Sequence, residues 1–243
     1  TIRRKMIVTD VIEADGEPDD ASRYRPPAPV VPLIGREQDL AASLSRLLDP
    51  AVRLLTLIGP PGVGKTRLAQ QIAWEARDVF MHGVCWVELA PVVDSGAVAG
   101  AIAQALGAQP ANGEGEWQAV QRRLRDQHVL LALDNFEQVT EAAGAVARLL
   151  AECPKLSVLA TSREALHVRA ERVFHVAPLT LPAADARLSP DELQQCEAVQ
   201  LFDAVIIVVY SVCSDPGSKD YARFISDVCG IIVVESGLNL VCG

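Results

Sequence analysis

The side chains with the clearest chemistry in this sequence are a lysine and a hydroxyl side by side at Lys65 and Thr66, a carboxylate at Asp134 and a guanidinium at Arg163. The first two close the stretch Gly59-Pro60-Pro61-Gly62-Val63-Gly64-Lys65-Thr66, which fits the phosphate-binding pattern G-x-x-x-x-G-K-[ST]. In that pattern glycines at positions such as Gly62 and Gly64 permit positive φ and a close approach of backbone to ligand. Pro60 and Pro61 stiffen the entry and donate no N–H, so the donors come from Gly62 through Thr66, Val63 included. Lys65 is placed to reach β- and γ-phosphates as a point charge, and the Thr66 hydroxyl to ligate the Mg2+ that bridges them. The alternative is a glycine-rich turn that only joins a strand to a helix.

A pattern this loose becomes a site only between a buried strand and a helix, and the sequence predicts both. Arg53-Leu54-Leu55-Thr56-Leu57-Ile58 has the length and branching of a buried parallel strand. Leu68, Ala69, Ile72, Ala73 and Ala76 recur at helical spacing. The helix should start near Gly64 or Lys65, so that its free N–H groups and the positive end of its dipole face the loop.

Asp134 ends the apolar run Val129-Leu130-Leu131-Ala132-Leu133. A carboxylate there, downstream of such a loop, has the Walker B arrangement that holds Mg2+ directly or through water. Asn135 stands where many turnover enzymes of this class carry the glutamate that activates water, which leaves Glu137 as the candidate base and implies slow hydrolysis. Arg163 follows the run Leu156-Ser157-Val158-Leu159-Ala160. Ligands of doubly wound sheets sit beyond the carboxyl ends of the strands, where an arginine can sense a γ-phosphate; the alternative is an exposed surface residue.

The remaining elements follow from periodicity. Leu40, Leu44, Leu47 and Leu48 mark a helix ending before Pro50, and Val84–Leu89 a second strand with its helix over Asp94–Leu106. Trp117, Val120 and Leu124 mark another helix, and Val139, Ala143, Val146 and Leu150 the next. Glu171–Val176 gives a fifth strand closed by Pro178. Ser189-Pro190-Asp191-Glu192 has the marks of a helix start, with Leu193, Cys196 and Val199 on its inner face. The expected fold is α/β, a P-loop NTPase three-layer sandwich on a mostly parallel five-stranded sheet, followed by the start of a helical subdomain. The expected boundaries are 1–31 for a leader and proline-rich linker, 32–182 for the NTPase domain and 183–243 for the helical start and an atypical tail.

Composition narrows the partners. A net charge of -9 argues against a nucleic-acid surface on this segment, because phosphate backbones are met by clustered Lys and Arg. The six cysteines lie far apart with no C-x-x-C pair and no histidine at metal spacing, so neither a zinc site nor a disulfide framework is indicated, and a cytoplasmic setting is the simplest. No apolar stretch of about 18 residues suggests a membrane span. The start at Thr1 suggests a fragment or a processed chain.

Five motifs in order, Ile34-Gly35-Arg36-Glu37, GPPGVGKT, the run ending Asp134-Asn135-Phe136-Glu137-Gln138, Thr161-Ser162-Arg163-Glu164 and Val176-Ala177-Pro178-Leu179, resemble the signal-transduction ATPases of the STAND group. The likeness is greatest to the NB-ARC-like modules of large bacterial transcriptional regulators, of LuxR or antibiotic-regulator type, and covers about residues 32–202. It implies that Ile34, Gly35 and Arg36 lie at the adenine, Gly59 to Thr66 at the phosphates, Asp134 at Mg2+ and Arg163 at the γ-phosphate. It also implies that the Arg163 strand lies between the P-loop strand and the Asp134 strand.

The likeness breaks at Asp203. Family members continue with a charged, alanine-rich helix and later a Gly-Leu-Pro-Leu motif near the adenine, whereas residues 204–212 and 231–234 here are β-prone and apolar. Gly237-Leu238-Asn239-Leu240 is a degenerate counterpart at best, and a frameshifted, spliced or truncated end accounts for the tail equally well.

The resemblance implies an ATP/ADP-binding switch with slow turnover, read out by an attached or partner output domain outside this chain, with DNA binding as one candidate output, and a nucleotide-dependent homo-oligomer as a further partner state. The alternatives are a conventional P-loop ATPase or kinase whose turnover is the output, and a non-functional remnant.

Overall fold

The computed structural model describes residues 24–29, 33–179, 198 and 200–201. Five strands form one sheet: β1 (Leu54–Ile58), β2 (Val84–Glu88), β3 (Leu130–Asp134), β4 (Ser157–Ser162) and β5 (Glu171–His175). Their order is β2-β3-β4-β1-β5, and every neighbouring pair is parallel. The strand that leads to Arg163 therefore lies between the P-loop strand and the Asp134 strand, as the resemblance implies.

Helices cover both faces, which is why β3 is apolar and buried along its whole length instead of alternating. On one face Leu131 and Leu133 pack with residues of α3 (Val98–Leu106), α4 (Glu116–Leu124) and α5 (Ala143–Glu152). On the other, Leu130 and Ala132 pack with α2 (Lys65–Ala76) and with Leu47 of α1 (Glu37–Leu47). This is the expected three-layer α/β sandwich of a P-loop NTPase, with every strand end that matters for chemistry at one edge of the sheet.

Several local expectations shift. β3 begins at Leu130, and β4 runs on through Thr161 and Ser162. The helix expected from Asp94 begins as a 3-10 turn, Ser95–Ala97, with the Asp94 carboxylate accepting from Gly96 N at 2.9 Å, and becomes α-helical at Val98. Val139 is outside α5: two 3-10 turns, Phe136–Gln138 and Thr140–Ala142, precede that helix. Leu48, placed on the apolar stripe of α1, is 39% exposed because α1 ends one residue earlier. Tyr24 pairs in parallel with Gly83 beside β2, and its hydroxyl donates to Leu106 O at 3.2 Å. The helix start at Ser189 and the tail from Asp203 lie outside the described residues; between them Ala198, Gln200 and Leu201 are described and helical.

Cys85 and Cys153 are buried and free, and burial pushes the Cys85 thiol up to about 12. Among the described residues no helix is long and apolar enough to cross a membrane.

Candidate functional site

The loop after β1 turns on two glycines in the left-handed region, Gly62 at φ 76 and Gly64 at φ 92. A Cβ on Gly64 would meet nothing within 4 Å, so backbone conformation and not space requires glycine there. Gly59 is the reverse case: a Cβ would lie 2.6 Å from Val176 O, so the loop's first glycine lets the segment after β5 pack against it. Gly64 is the N-cap of α2, no side chain caps that helix, and its first turn carries no acidic residue. The free N–H groups of the first turn and the positive end of the helix dipole thus face the loop with no acidic residue of the helix's own first turn to cap them.

Lys65 is 8% exposed, and its ammonium donates to two carbonyls of its own loop, Gly59 O at 2.9 Å and Pro60 O at 3.0 Å. Burial holds its pKa below the ordinary lysine value, opposed by the Glu137 carboxylate, furthered by Arg163 and opposed again by Asp134. The Lys65 ammonium therefore feels the charges of Glu137, Arg163 and Asp134.

Asp134, 4% exposed, ends β3. Its Oδ1 accepts from Thr66 Oγ1 at 2.9 Å and from Thr161 Oγ1 at 2.5 Å. Burial raises its pKa, while the two hydroxyl donors pull it back and Glu137 and Glu88 add to the rise. The structure thus brings together Thr66 and Asp134, the two residues expected to hold Mg2+. Among the described residues no group of three or more His, Cys, Asp and Glu could hold a metal. The Thr66 hydroxyl and the buried Asp134 carboxylate are hard oxygen donors and fit Mg2+ in the mode where phosphate oxygens and water complete the octahedron.

Asn135 has φ 63 and donates its N–H to Thr161 Oγ1 at 2.9 Å. The left-handed turn, with Phe136 fully buried as an anchor, returns Glu137 towards the sheet edge. Glu137 Oε1 accepts from Arg163 Nε at 3.3 Å. The Glu137 side chain is 13% exposed against 61% for Arg163, and Glu137 Oε2 is buried with no hydrogen-bond partner. Arg163 follows the end of β4 directly, as expected, and is both exposed and tied to the site.

The residues implied at the adenine lie before α1. Ile34 and Gly35 are half-buried and Gly35 has φ 68. The buried Arg36 donates from Nη2 to Val63 O at 3.0 Å and from Nη1 to Asp39 Oδ2 at 2.7 Å, so its guanidinium ties α1 to the phosphate loop. Thr161 received no role of its own from the sequence. It stands in the Thr161-Ser162-Arg163 run, but its role depends on the register of β4 against β3, Leu133 facing Ala160, which sets Thr161 beside Asp134.

Residues 51–168 match the AAA domain family. A stretch of 146 residues is 38% identical to a Mycobacterium tuberculosis protein that carries the provisional name HTH-type transcriptional regulator, over 60% of this chain and 16% of that protein. Another, of 213 residues, is 31% identical to an uncharacterized M. tuberculosis protein, over 85% of this chain and 54% of that one. The matches span about half or less of the length of these relatives. Among solved structures, Cdc6p from Pyrobaculum aerophilum superposes with a TM-score of 0.48 at 20% identity, over 67% of this chain and 50% of that chain. The STAND protein with a tetratricopeptide repeat sensor from Pyrococcus horikoshii gives 0.44 at 14% identity, over 86% of this chain and 30% of that chain. Strand order and phosphate loop together define the α/β fold of a P-loop NTPase, and residues 51–168 within it resemble the AAA domain family.

Proposed function

We propose that this chain carries a nucleotide-operated switch of STAND type, an NB-ARC-like module that binds ATP and ADP with Mg2+ and hydrolyses ATP slowly. Residues 32–182 form the nucleotide-binding unit, residues 1–31 lead into it, and residues 183–243 begin a helical subdomain. The setting is a cytoplasmic bacterial transcriptional regulator. Its output domain lies outside this chain, and the name borne by the mycobacterial relative supports an output that binds DNA. The net charge of -9 supports the absence of nucleic-acid contact from this segment itself.

The observation that carries the reading is the convergence of Thr66 Oγ1 and Asp134 Oδ1 at 2.9 Å, beside an uncapped helix N-terminus and a buried lysine on the same loop. The N–H groups of Gly62, Val63, Gly64, Lys65 and Thr66 take the phosphate oxygens. Lys65 exchanges the carbonyls of Gly59 and Pro60 for the β- and γ-phosphates, a charged partner that also relieves its burial. Thr66 and Asp134 would hold Mg2+, which supplies neutralisation of phosphate charge. Ile34, Gly35 and Arg36 border the base.

In hydrolysis a water oxygen bonds to the γ-phosphorus while the bond from that phosphorus to the bridging oxygen breaks. The bridging oxygen keeps the electron pair and leaves on ADP, and the Glu137 carboxylate receives the water's proton. Asn135 has no carboxylate to share that role, so turnover is slow. Arg163 faces the γ-phosphate.

The test is Lys65→Ala, with a fluorescent ATP analogue titrated into both chains and a thermal melt to confirm folding. The expected outcome is at least a ten-fold loss of affinity in a folded protein. Unchanged affinity would make the loop a structural turn.

A further inference from the structure

Arg163 and Glu137 are two of the residues that a bound triphosphate needs, and they are bound to each other. The contact, Nε to Oε1 at 3.3 Å, is the one hydrogen bond of the Arg163 guanidinium among the described residues. The partners are unequal: Glu137 is 13% exposed and Arg163 61%. The arginine is the partner free to move, since the 3-10 turn that carries Glu137 is pinned by fully buried Phe136 on one side and by the Asn135 bond to Thr161 on the other.

The pair also leaves something unmet. Glu137 Oε2 is buried with no donor, a condition that costs free energy and is uncommon in native structures. It is the acceptor that a water molecule would fill. Lys65, which feels the charge of both residues, is meanwhile occupied with the Gly59 and Pro60 carbonyls.

We propose that Glu137 and Arg163 hold each other off the nucleotide until a γ-phosphate arrives. A triphosphate draws the guanidinium from Glu137 to its terminal phosphate and leaves that carboxylate to accept a water, whereas a diphosphate leaves the pair closed. The inference rests on the reading of the loop as the phosphate site. Its consequence is that Glu137 is a specificity-determining residue as well as a base, because the strength of its hold on Arg163 is subtracted from the preference for ATP over ADP.

The test is a double-mutant cycle read as the ratio of ADP to ATP-analogue dissociation constants, measured on the full chain with Mg2+ and a non-hydrolysable analogue. Glu137→Gln weakens the pair and frees Arg163, so the preference for the triphosphate is expected to rise about three- to five-fold, the scale of a half-exposed ion pair. Glu137→Asp keeps the charge but shortens the reach, and should shift the ratio the same way; it serves where the Gln variant does not fold. Arg163→Met should lower the preference towards unity, and adding Glu137→Gln to it should change the ratio no further.

A simple electrostatic role for Glu137 would move both nucleotides alike, or would persist in the Arg163→Met background. Either result overturns the inference. Failure of the phosphate-site reading looks different: the unaltered chain would bind neither nucleotide, and Lys65→Ala would change nothing.

Discussion

At the scale of single residues the site is held in a costly state that its ligands would relieve. Asp134 is the clearest case: a carboxylate 4% exposed, its pKa raised by burial against the pull of Thr161 and Thr66. A carboxyl whose folded pKa lies above its unfolded value binds more protons when folded, so its contribution to stability falls as pH rises from the unfolded value near 3.8 through the folded one. At neutral pH the ionised group therefore works against folding. Asp134→Asn is expected to stabilise the nucleotide-free chain by about 0.5 to 2 kcal/mol, a common gain when a strained functional group is removed, and to abolish the gain in nucleotide affinity on adding Mg2+. Thermal melts at pH 7 and titrations with and without Mg2+ measure the two effects, and a destabilised variant would mean that the hydroxyl bonds to Asp134 outweigh its burial. Lys65, Thr66, Asp134 and Arg163 were legible because each sits at a fixed offset from a glycine-rich turn or a strand end. Thr161 was not, since a threonine inside an apolar strand announces nothing until the neighbouring strand is placed. Nor could spacing show that Glu137 and Arg163 meet, because 26 residues separate them.

At the scale of elements the five strands were readable to within a residue or two, because parallel strands covered on both faces are short apolar runs with abrupt ends. The two 3-10 turns between β3 and α5 were not. Val139 falls in helical register with Ala143 and Val146, and the competing choice is made by Phe136 and Val139 burying in the core between β3 and α5. The bridge of Tyr24 to Gly83 was hidden for a related reason, since a single pairing outside a strand has no period. One side chain joins elements in a way that invites a test. Arg53, just before β1, donates from Nε to Leu156 O at 2.7 Å and from Nη2 to Leu150 O at 2.9 Å and Cys153 O at 2.5 Å. It thereby serves Leu150 O in the last turn of α5 together with Cys153 O, which also accepts from Leu156 N at 3.1 Å, and binds that helix end to β1 and β4. Burial lowers its pKa, yet it stays charged, so these are charge-assisted bonds. Arg53→Ala is expected to cost about 2 to 4 kcal/mol, seen as a lower urea midpoint with an unchanged slope, while the folded variant keeps its nucleotide affinity. A loss below about 0.5 kcal/mol would show that water serves those carbonyls equally well.

At the scale of the whole molecule the decisive feature is where the chain leaves the sheet. β5 lies beside β1, Val176 N donates to Ile58 O at 2.8 Å, and Val176 O closes on Gly59. Whatever follows Leu179 therefore departs from the phosphate end of the domain, where a covering subdomain can reach the nucleotide. The STAND resemblance breaks at Asp203, and within residues 203–243 the proline-containing motif implied near the base is matched at best by the degenerate Gly237-Leu238-Asn239-Leu240. If this stretch gives the base no wall, water keeps access to the base and ribose, and contacts to the phosphates stay screened. Turnover is limited separately: Asn135 offers no carboxylate beside Asp134 and leaves Glu137 as the lone candidate base, so part of the roughly 100- to 10,000-fold help of a positioned base is expected to be withheld. The chain is accordingly expected to lose ADP during gel filtration and to turn over ATP well below tens per second. Exchanging residues 203–243 for a STAND-like helical subdomain should then tighten both nucleotides while leaving turnover slow, because the exchange restores the wall and touches neither Asn135 nor Glu137. Retention of ADP by the unaltered chain would show that the wall is unnecessary, and fast turnover after the exchange would place the limit on hydrolysis in the cover and not beside Asp134.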